Sequence, residues 1–319
     1  MNQSSFAGRV ALVTGGGSGI GLALARATAE QGASVAVTDI DAEAAQAAVR
    51  NIRAAGGRAR AQKLDVASRD DWNAAIEATQ AEFGPVDLLC SNAGSNSCQL
   101  PLARMPLQYM RWLFEVNVLG AVNGAQALVP GMIARGRGWL LFTGSMAGLG
   151  GTPFNADYCA TKHALLAIAD CLREEVREAG LRVSYLCPAA VPSNLAQTTR
   201  RHLAAGIASQ LPRAQTGSAA EKQRAVSESG GFVDADLVAQ IALDGLRQGR
   251  FLIPTHPRSG ARARADRTVR SRHRRDRGAR STRMTAHSRE ASPYSIFALT
   301  TICLGFFYAS PTGKSSASC

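Results

Sequence analysis

The stretch VALVTGGGSGIGLALA, residues 10–25, joins an apolar run to an alanine-rich helical pattern through five glycines in eight residues. The run Val10–Thr14 predicts a buried strand, and the glycines permit a tight turn and a close approach of the backbone to a ligand. A helix beginning at Gly19 would present N–H groups and its positive dipole end to an anion. The stretch therefore predicts a phosphate-binding turn at the floor of a dinucleotide site, with a ligand-free turn as the alternative.

Beyond this turn, apolar runs alternate with amphipathic helical patterns as far as about residue 257. In chain order, the predicted elements are strand 10–14, helix 19–31, strand 34–38, helix 42–55, strand 61–65, helix 70–83, strand 86–91, helix 106–134, strand 139–144, helix 156–179, strand 182–187, helix 234–248 and strand 251–254. Because such apolar strands need helices above and below, this order predicts a parallel sheet covered on both faces. We therefore expect an α/β fold, a single doubly wound Rossmann-type domain of residues 1–257.

Residues 192–229 interrupt the alternation with a polar, weakly periodic segment. Such a segment above a sheet edge commonly covers a substrate, and a plain surface excursion is the alternative. Its apolar and basic residues are Leu195, Leu203, Ile207 and Leu211, and Arg200, Arg201 and Arg213. This mixture favours a largely apolar ketone or secondary alcohol as substrate, with or without an anionic group.

The net charge of +12 is concentrated at one end of the chain. From Arg258 onward, 13 Lys and Arg residues stand against 3 Asp and Glu residues, so the upstream part is nearly neutral. This tail, residues 258–319, is arginine-dense and then apolar (YSIFALTTICLGFFYA). Three interpretations stay open: binding of nucleic acid or anionic lipid, membrane anchoring, and out-of-frame translation of a GC-rich gene. We favour the last, because no periodicity organises the tail, and expect nucleic-acid or membrane association only through it.

The cysteines indicate a reducing compartment. They number seven and show no metal-ligand spacing: Cys90, Cys98, Cys159, Cys171, Cys187, Cys303 and Cys319. Together with a first segment, MNQSSFAGR, that lacks the pattern of a secretory signal, they predict free thiols in a cytoplasmic protein without a metal site.

Asp39 ends the second predicted strand, about 20 residues beyond the glycine turn. An acidic side chain there accepts hydrogen bonds from the hydroxyls of the adenosine ribose and would repel a 2'-phosphate. The position therefore favours NAD over NADP. Alternatively, Asp39 caps the following helix, for which Asp41 is an equally good candidate.

Tyr158 and Lys162 lie one helical turn apart on one face of a predicted helix. A phenol has a pKa near 10, so it is a poor base at neutral pH unless a neighbouring ammonium favours the phenolate. Ser145 follows the fifth predicted strand and would hydrogen-bond a substrate oxygen against the phenol. Each feature alone is common in proteins, as a helix surface pair and as a turn serine, but together they predict proton transfer to or from an alcohol oxygen.

In this order and spacing, these residues resemble the short-chain dehydrogenase/reductase family over roughly residues 6–257. The resemblance rests on TGxxxGxG at residues 14–21, NAG at residues 92–94, and Ser145 with Tyr158 and Lys162. It implies an NAD(P)-dependent oxidoreductase that transfers hydride between nicotinamide and a secondary alcohol or ketone. A catalytically silent NAD-binding sensor or scaffold is the alternative.

The resemblance also implies a role for each site residue. Asn117 would organise the proton relay, Ser145 would orient the substrate, Tyr158 would be the acid/base, and Lys162 would bind the nicotinamide ribose. The residues implied in cofactor binding are Gly15, Ser18, Gly19, Ile20, Gly21, Asp39, Asp65, Val66, Asn92, Ala93, Gly94, Tyr158, Lys162, Pro188, Val191 and Ser193. Ser18 is neutral where NADP-preferring relatives often carry a basic residue, which again favours NAD.

One departure from the family pattern concerns the segment after the sixth strand. The family usually has Pro-Gly there and a threonine further on, whereas this chain has Pro188-Ala189 and Ser193. Because alanine has fewer allowed backbone angles than glycine, the departure puts the placement of the nicotinamide in question. The resemblance further implies a homodimer or homotetramer.

Overall fold

Seven strands pair in parallel in one sheet within the residues that the computed structural model describes, 6–192, 195–203, 205–209, 211 and 231–256. They are β1 (Val10–Thr14), β2 (Ser34–Asp39), β3 (Arg58–Lys63), β4 (Leu88–Ser91), β5 (Trp139–Thr143), β6 (Arg182–Cys187) and β7 (Leu252–Pro254). Their order across the sheet is β3-β2-β1-β4-β5-β6-β7. The winding reverses between β1 and β4, which opens a crevice at the carboxyl ends of these two strands where ligands bind in such sheets.

Helices cover both faces of the sheet. They are α1 (Gly19–Glu30), α2 (Ala42–Ala54), α3 (Arg69–Phe83), α4 (Leu107–Phe114), α5 (Gly120–Ala134), α6 (Ala156–Glu175), α7 (Leu195–His202), α8 (Ala205–Ala208) and α9 (Ala235–Arg247). One buried cluster joins the sheet to α1, α2 and α9, and a second joins it to α3, α5 and α6. The predicted doubly wound α/β fold is thereby confirmed, while the predicted tail, residues 258–319, lies outside the described residues.

The third strand differs from its prediction. We expected residues 61–65, whereas β3 is Arg58–Lys63 and is polar. It lies at the sheet edge beside β2 alone, and both its end residues, Arg58 and Lys63, are exposed, so no apolar run is required. The apolar signal that shifted the prediction comes from Leu64 and Val66, which are buried just after the strand ends.

The predicted helix 106–134 is a continuous helical segment with an irregular turn. A π-helical turn, Glu115–Leu119, with Asn117 at its centre, separates α4 from α5. Among the described residues, this segment alone is long and apolar enough to cross a membrane. Half of its most apolar window is buried in the protein, where α5 packs against α3, so it is a core helix of the fold.

The described part of the predicted lid lies over the site. Leu203 is buried against Tyr109 and Leu113 of α4, and Tyr158 packs against the same cluster. Ile207 and Leu211 pack there too. α7 and α8 thus pack beside Tyr158, while their covering of a substrate stays a prediction, and residues 212–230, with Arg213, lie outside the described residues.

Candidate active site

The glycine turn between β1 and α1 is tightly built. Gly15 has a φ of +61°, a conformation that side chains rarely adopt. A Cβ at Gly15 would lie 2.9 Å from the Ala93 Cα, and one at Gly21 would collide with the Gly15 carbonyl oxygen. Glycines at these two positions therefore let the β1 turn, the NAG segment and α1 pack against each other.

The amino end of α1 is left open for an anion. Ser18 is the N-cap residue, but its exposed side chain makes no capping hydrogen bond, and the first turn has no acidic residue. No side chain therefore covers the first N–H groups of α1, and the positive end of the helix dipole stays available to an anion. This uncapped end beside a cradle that only glycine fits is what a bound pyrophosphate requires.

Asp39 is held at the mouth of the turn by two backbone bonds. Its Oδ2 accepts a 2.9 Å hydrogen bond from the Gly17 N–H, and its Oδ1 accepts a 3.0 Å bond from the Asp41 N–H. Asp41, and not Asp39, caps α2, with bonds of 3.1 Å from both Glu43 and Ala44. The capping alternative for Asp39 is therefore wrong, and its carboxylate borders the glycine turn.

The NAG segment is fastened to the same turn. The buried Thr14 Oγ1 accepts bonds of 3.0 Å from the backbone N–H groups of Asn92 and Ala93. The Asn92 side chain donates to the carbonyls of Thr14 and Gly15, at 3.1 and 3.3 Å. Asn92 thus positions the glycine turn through its amide, and Thr14 is a positioning residue that the sequence indicated only as part of the motif.

Asp65 and Val66 form the wall after β3. Leu64 donates from its N–H to the Asp39 carbonyl at 2.8 Å, which brings this segment beside the ribose position. Val66 is buried, and its carbonyl accepts from the Trp72 indole at 3.0 Å. The backbone here is fixed by α3, so the wall is rigid.

Ser145, Tyr158 and Lys162 meet at the carboxyl end of β5. Ser145 is the N-cap of a 3-10 turn, Met146–Gly148; its hydroxyl accepts a 3.1 Å hydrogen bond from the Ala147 N–H and lies near enough to the Tyr158 phenol to act on its pKa. The Lys162 Nζ lies 5.5 Å from the centre of the Tyr158 ring and donates to the Thr143 carbonyl at 2.9 Å. The three side chains that the sequence singled out are therefore neighbours.

The protonation equilibria of this group are set mainly by burial. Burial raises the pKa of Tyr158 to about 12, and the nearby Ser145 hydroxyl opposes that rise. Burial lowers the pKa of Lys162 to about 8, because the charged form loses hydration. The expected lowering of the phenol pKa by the ammonium is absent in the protein alone, where the phenol is held as a proton donor.

Asn117 is buried in the π-helical turn and reaches the same group. Its Oδ1 accepts from the Ser95 N–H at 2.7 Å, and its Nδ2 donates to the Ser95 carbonyl at 3.0 Å and to the Thr161 hydroxyl at 3.1 Å. A Cβ on Gly94 would lie 3.2 Å from the Asn117 Oδ1 and 3.7 Å from the Lys162 Nζ. The irregular turn thus places a polar amide between the NAG segment and the catalytic helix.

The segment after β6 is fixed at three points. The Pro188 carbonyl accepts from the Met146 N–H at 3.0 Å, and the Ala190 carbonyl accepts from the Val233 N–H at 3.0 Å. The buried His256 places its Nδ1 3.4 Å from the Ala189 nitrogen and its Nε2 3.3 Å from the Ala190 oxygen. Ala189 has no positive φ, so the backbone here has a course that alanine adopts without strain.

The remaining predicted cofactor residues divide into two groups. Val191 is half-buried and packs against the same core cluster as Ile20. Ser193 lies outside the described residues. His256, which the sequence gave no reason to single out, reaches Ala189 and Ala190 because β7 ends just before it.

The fold and the site together define a nicotinamide-dependent oxidoreductase with a doubly wound sheet. The chain belongs to the short-chain dehydrogenase family, whose model, described as short chain dehydrogenase, matches residues 9–204. Its residues fit the cofactor of that family, since the glycine cradle, the uncapped helix end and the Asp39 carboxylate all border one crevice.

Curated relatives include a 2,5-dichloro-2,5-cyclohexadiene-1,4-diol dehydrogenase of Sphingobium indicum, 36% identical over 195 residues, which are 61% of this chain and 77% of the relative. A cyclohexanol dehydrogenase of an Acinetobacter species is 34% identical over 60% of this chain and 76% of its own. Among solved structures, a short-chain dehydrogenase/reductase from Burkholderia phymatum in complex with NAD has a TM-score of 0.71 and 30% identity, and the match covers 90% of this chain and 99% of that one.

Proposed function

We propose that this protein interconverts a cyclic secondary alcohol and its ketone, with NAD as the preferred cofactor. The observation that carries the chemistry is the cluster of Ser145, Tyr158 and Lys162 at the sheet edge that also carries the glycine turn. A bound nicotinamide would supply the hydride acceptor for oxidation, or the hydride donor for reduction.

The proton is handled by the protein's own residues. The Tyr158 oxygen takes the hydroxyl proton of the alcohol during oxidation, and returns it to the ketone oxygen during reduction. Ser145 hydrogen-bonds that same substrate oxygen and keeps it against the phenol. Lys162, anchored on the Thr143 carbonyl, holds its amino group beside the phenol ring and the floor of the crevice.

The substrate class is supported by the apolar cluster beside Tyr158. Tyr109, Leu113 and Leu203 form its buried part, and Trp112 packs against them. Aromatic and branched aliphatic side chains of this kind suit a compact carbon ring better than a charged chain. The two relatives described above are named for cyclic diol and alcohol substrates.

The lid arginines do not form an anion site in the described residues. Arg201 lies 3.6 Å from Asp41, at the amino end of α2, so its charge is directed toward the carboxylates near the ribose position. Arg200 is exposed on α7, within electrostatic reach of the Tyr109 phenol. The placement of Arg201 favours a neutral substrate.

The preference for NAD is supported by Asp39 beside the Gly17 N–H, where a 2'-phosphate would meet a carboxylate. We expect kcat/KM to be at least tenfold higher with NAD than with NADP, measured by nicotinamide absorbance with cyclohexanol and 2-hexanol. Tyr158→Phe is the control, and we expect it to lower kcat by about 100-fold or more while NAD still binds. A higher kcat/KM with NADP would overturn the cofactor proposal and leave the reaction in place.

We also propose a cytoplasmic location and a homo-oligomer. The five cysteines within the described residues are all free thiols, as in a reducing compartment. Leu107, Leu119 and Ile133 are exposed apolar side chains on α4, the π-helical turn and α5, and burying them would favour association with a second copy. Light scattering on the purified protein would give the mass of the assembly, and a monomer would contradict the proposal.

A further inference from the structure

Asp157, next to the catalytic tyrosine, is a fully buried carboxylate that the reaction described above does not use. Its Oδ1 accepts from the Ser97 hydroxyl at 2.6 Å and from the Tyr158 N–H at 2.7 Å, and its Oδ2 accepts from the Cys98 N–H at 3.0 Å. Two of these donors belong to the segment after the NAG motif, and the third belongs to α6. Asp157 therefore joins the substrate side of the crevice to the catalytic helix.

The segment that it holds, residues 95–99, is fastened at other points as well. Asn96 donates from its N–H to the Thr199 hydroxyl on α7 at 3.0 Å, and its carbonyl accepts from the Tyr109 phenol at 2.6 Å. We call residues 95–99 the substrate loop. It contacts α4, α6 and α7, so a change at Asp157 reaches the covering helix and the catalytic helix together.

Backbone strain is concentrated at the same place. Among the described residues, Gln99 and Phe154 are the two non-glycine residues with positive φ, at 57° and 61°. The Ser97 hydroxyl accepts from the Gln99 N–H at 2.9 Å and lies 3.4 Å from the Phe154 carbonyl oxygen. Such strain persists only where surrounding contacts impose it, and here Ser97 and Asp157 impose it. The side chains of Gln99 and Phe154 are exposed, and Phe154 exposes 60% of its surface.

We propose that Asp157 is a positioning residue that locks the substrate loop to the catalytic helix, and that through Ser97 it holds Gln99 and Phe154 at the mouth of the site, where they select the substrate. The inference rests on the proposed function. The aromatic ring of Phe154 would contact the ring of a cyclic alcohol, while the Asp157 bond to the Tyr158 N–H fixes the start of the turn that carries the phenol.

An asparagine in place of Asp157 keeps the shape of the side chain and loses one acceptor. Its NH₂ group would face either the Ser97 hydroxyl or the Cys98 N–H, both of which donate now. We expect Asp157→Asn to lower kcat by at least about tenfold, because small displacements of a catalytic group are costly. We expect the Kd for NAD to stay within about twofold, since the carboxylate contacts no part of the glycine turn.

Ser97→Ala removes the link to the strained residues and leaves the bond between Asp157 and Cys98 in place. We expect it to raise KM for cyclohexanol and to reduce the ratio of kcat/KM for cyclohexanol over 2-hexanol by about fivefold. A loss of folded protein would lower both activities equally and leave that ratio unchanged. Glu174→Gln, exposed on the same helix α6, is the matched control and should change neither quantity.

The double variant tests whether the two residues act as a unit. Because they share a hydrogen bond, their effects on kcat/KM should be non-additive, whereas independent effects would overturn the proposal. Unchanged kcat in Asp157→Asn and an unchanged substrate ratio in Ser97→Ala would also overturn it.

Hydrogen exchange of the Cys98 and Tyr158 amides gives a readout that needs no turnover. Exchange should be faster at both amides in Asp157→Asn than in the wild type. If the wild type turns over no alcohol while this difference is present, the proposed function fails and the positioning role stands. Equal exchange in the two proteins would remove the positioning role itself.

Discussion

The Tyr158 phenol and the Lys162 ammonium are shifted in opposite directions by the same burial. The pKa of Tyr158 is raised to about 12 and that of Lys162 is lowered to about 8. At neutral pH the phenol therefore carries its proton and the amine is mostly charged. This state is ready to protonate a ketone oxygen, and it must lose a proton before it oxidises an alcohol.

From these shifts we expect the two directions of the reaction to depend on pH with opposite signs. The initial rate of alcohol oxidation should rise between about pH 7 and pH 9, because the phenolate fraction of a group titrating near 12 grows about tenfold per pH unit. Ketone reduction should be flat to about pH 7 and then decline, falling to about half near pH 8, as Lys162 loses its charge. Stopped-flow absorbance at saturating cofactor checks both limbs.

An oxidation rate that is independent of pH above neutrality would contradict this expectation. It would mean that the phenol titrates far lower with cofactor and substrate present than in the protein alone. The Glu174→Gln variant should show the wild-type profile, because its carboxylate lies on the surface of α6 away from the site.

Single residues were predictable from the sequence where a short motif names them. Ser145, Tyr158 and Lys162 fall at fixed spacings along the chain, and the structure brings them together. Asp157 accepts a bond from Cys98, 59 residues away, and His256 contacts the Ala190 carbonyl, 66 residues away. No local pattern reports such distant contacts, so these two residues required the fold.

At the scale of an element, the turn from β1 into α1 is the most constrained feature of the molecule. Its glycines are required by contact with Ala93 and with the turn's own backbone, in addition to any ligand. This close packing explains why five glycines within eight residues decided the fold: a strand, a helix and the NAG segment meet where only backbone fits.

We expect Gly21→Ala to weaken NAD binding at least tenfold and to destabilise the protein by about 1–3 kcal/mol, because the added methyl overlaps the Gly15 carbonyl and displaces the turn. Gly131→Ala in α5 is the matched control, since its methyl would meet only the end of the Arg135 side chain, at 3.2 Å, and no backbone atom. Calorimetric titration with NAD and thermal unfolding measure the two effects. Wild-type affinity in Gly21→Ala would show that the turn yields without loss.

Other elements were predicted less well, for physical reasons. Strand β3 is polar because it lies at the edge of the sheet. The pattern of apolar residues therefore predicted its first residue three positions too late. The helix 107–134 was predictable as a whole, but its π-helical turn was not. Asn117 in that turn bonds to Ser95, 22 residues away, and helix propensities take no account of contacts between residues so far apart.

For the molecule as a whole, the sheet order places every described site residue on one edge. The glycine turn, the NAG segment, Ser145 and Pro188 follow β1, β4, β5 and β6, and Asp39 is the last residue of β2. The doubly wound topology could be predicted because strict alternation of strand and helix leaves few other arrangements. The contacts between substrate loop, α4, α6 and α7 could not, since they join segments up to 103 residues apart.

This arrangement leads to a prediction about the arginine-rich tail. The described site residues end at His256, and β7, which supports His256, ends at Pro254. A variant lacking residues 265–319 should therefore keep its NAD affinity and turnover within about twofold and fold with wild-type thermal stability. If the tail binds nucleic acid, full-length protein should retard RNA in a salt-sensitive manner and the truncated protein should not. Loss of turnover on truncation would show instead that the tail completes the site, and would overturn its interpretation as an out-of-frame extension.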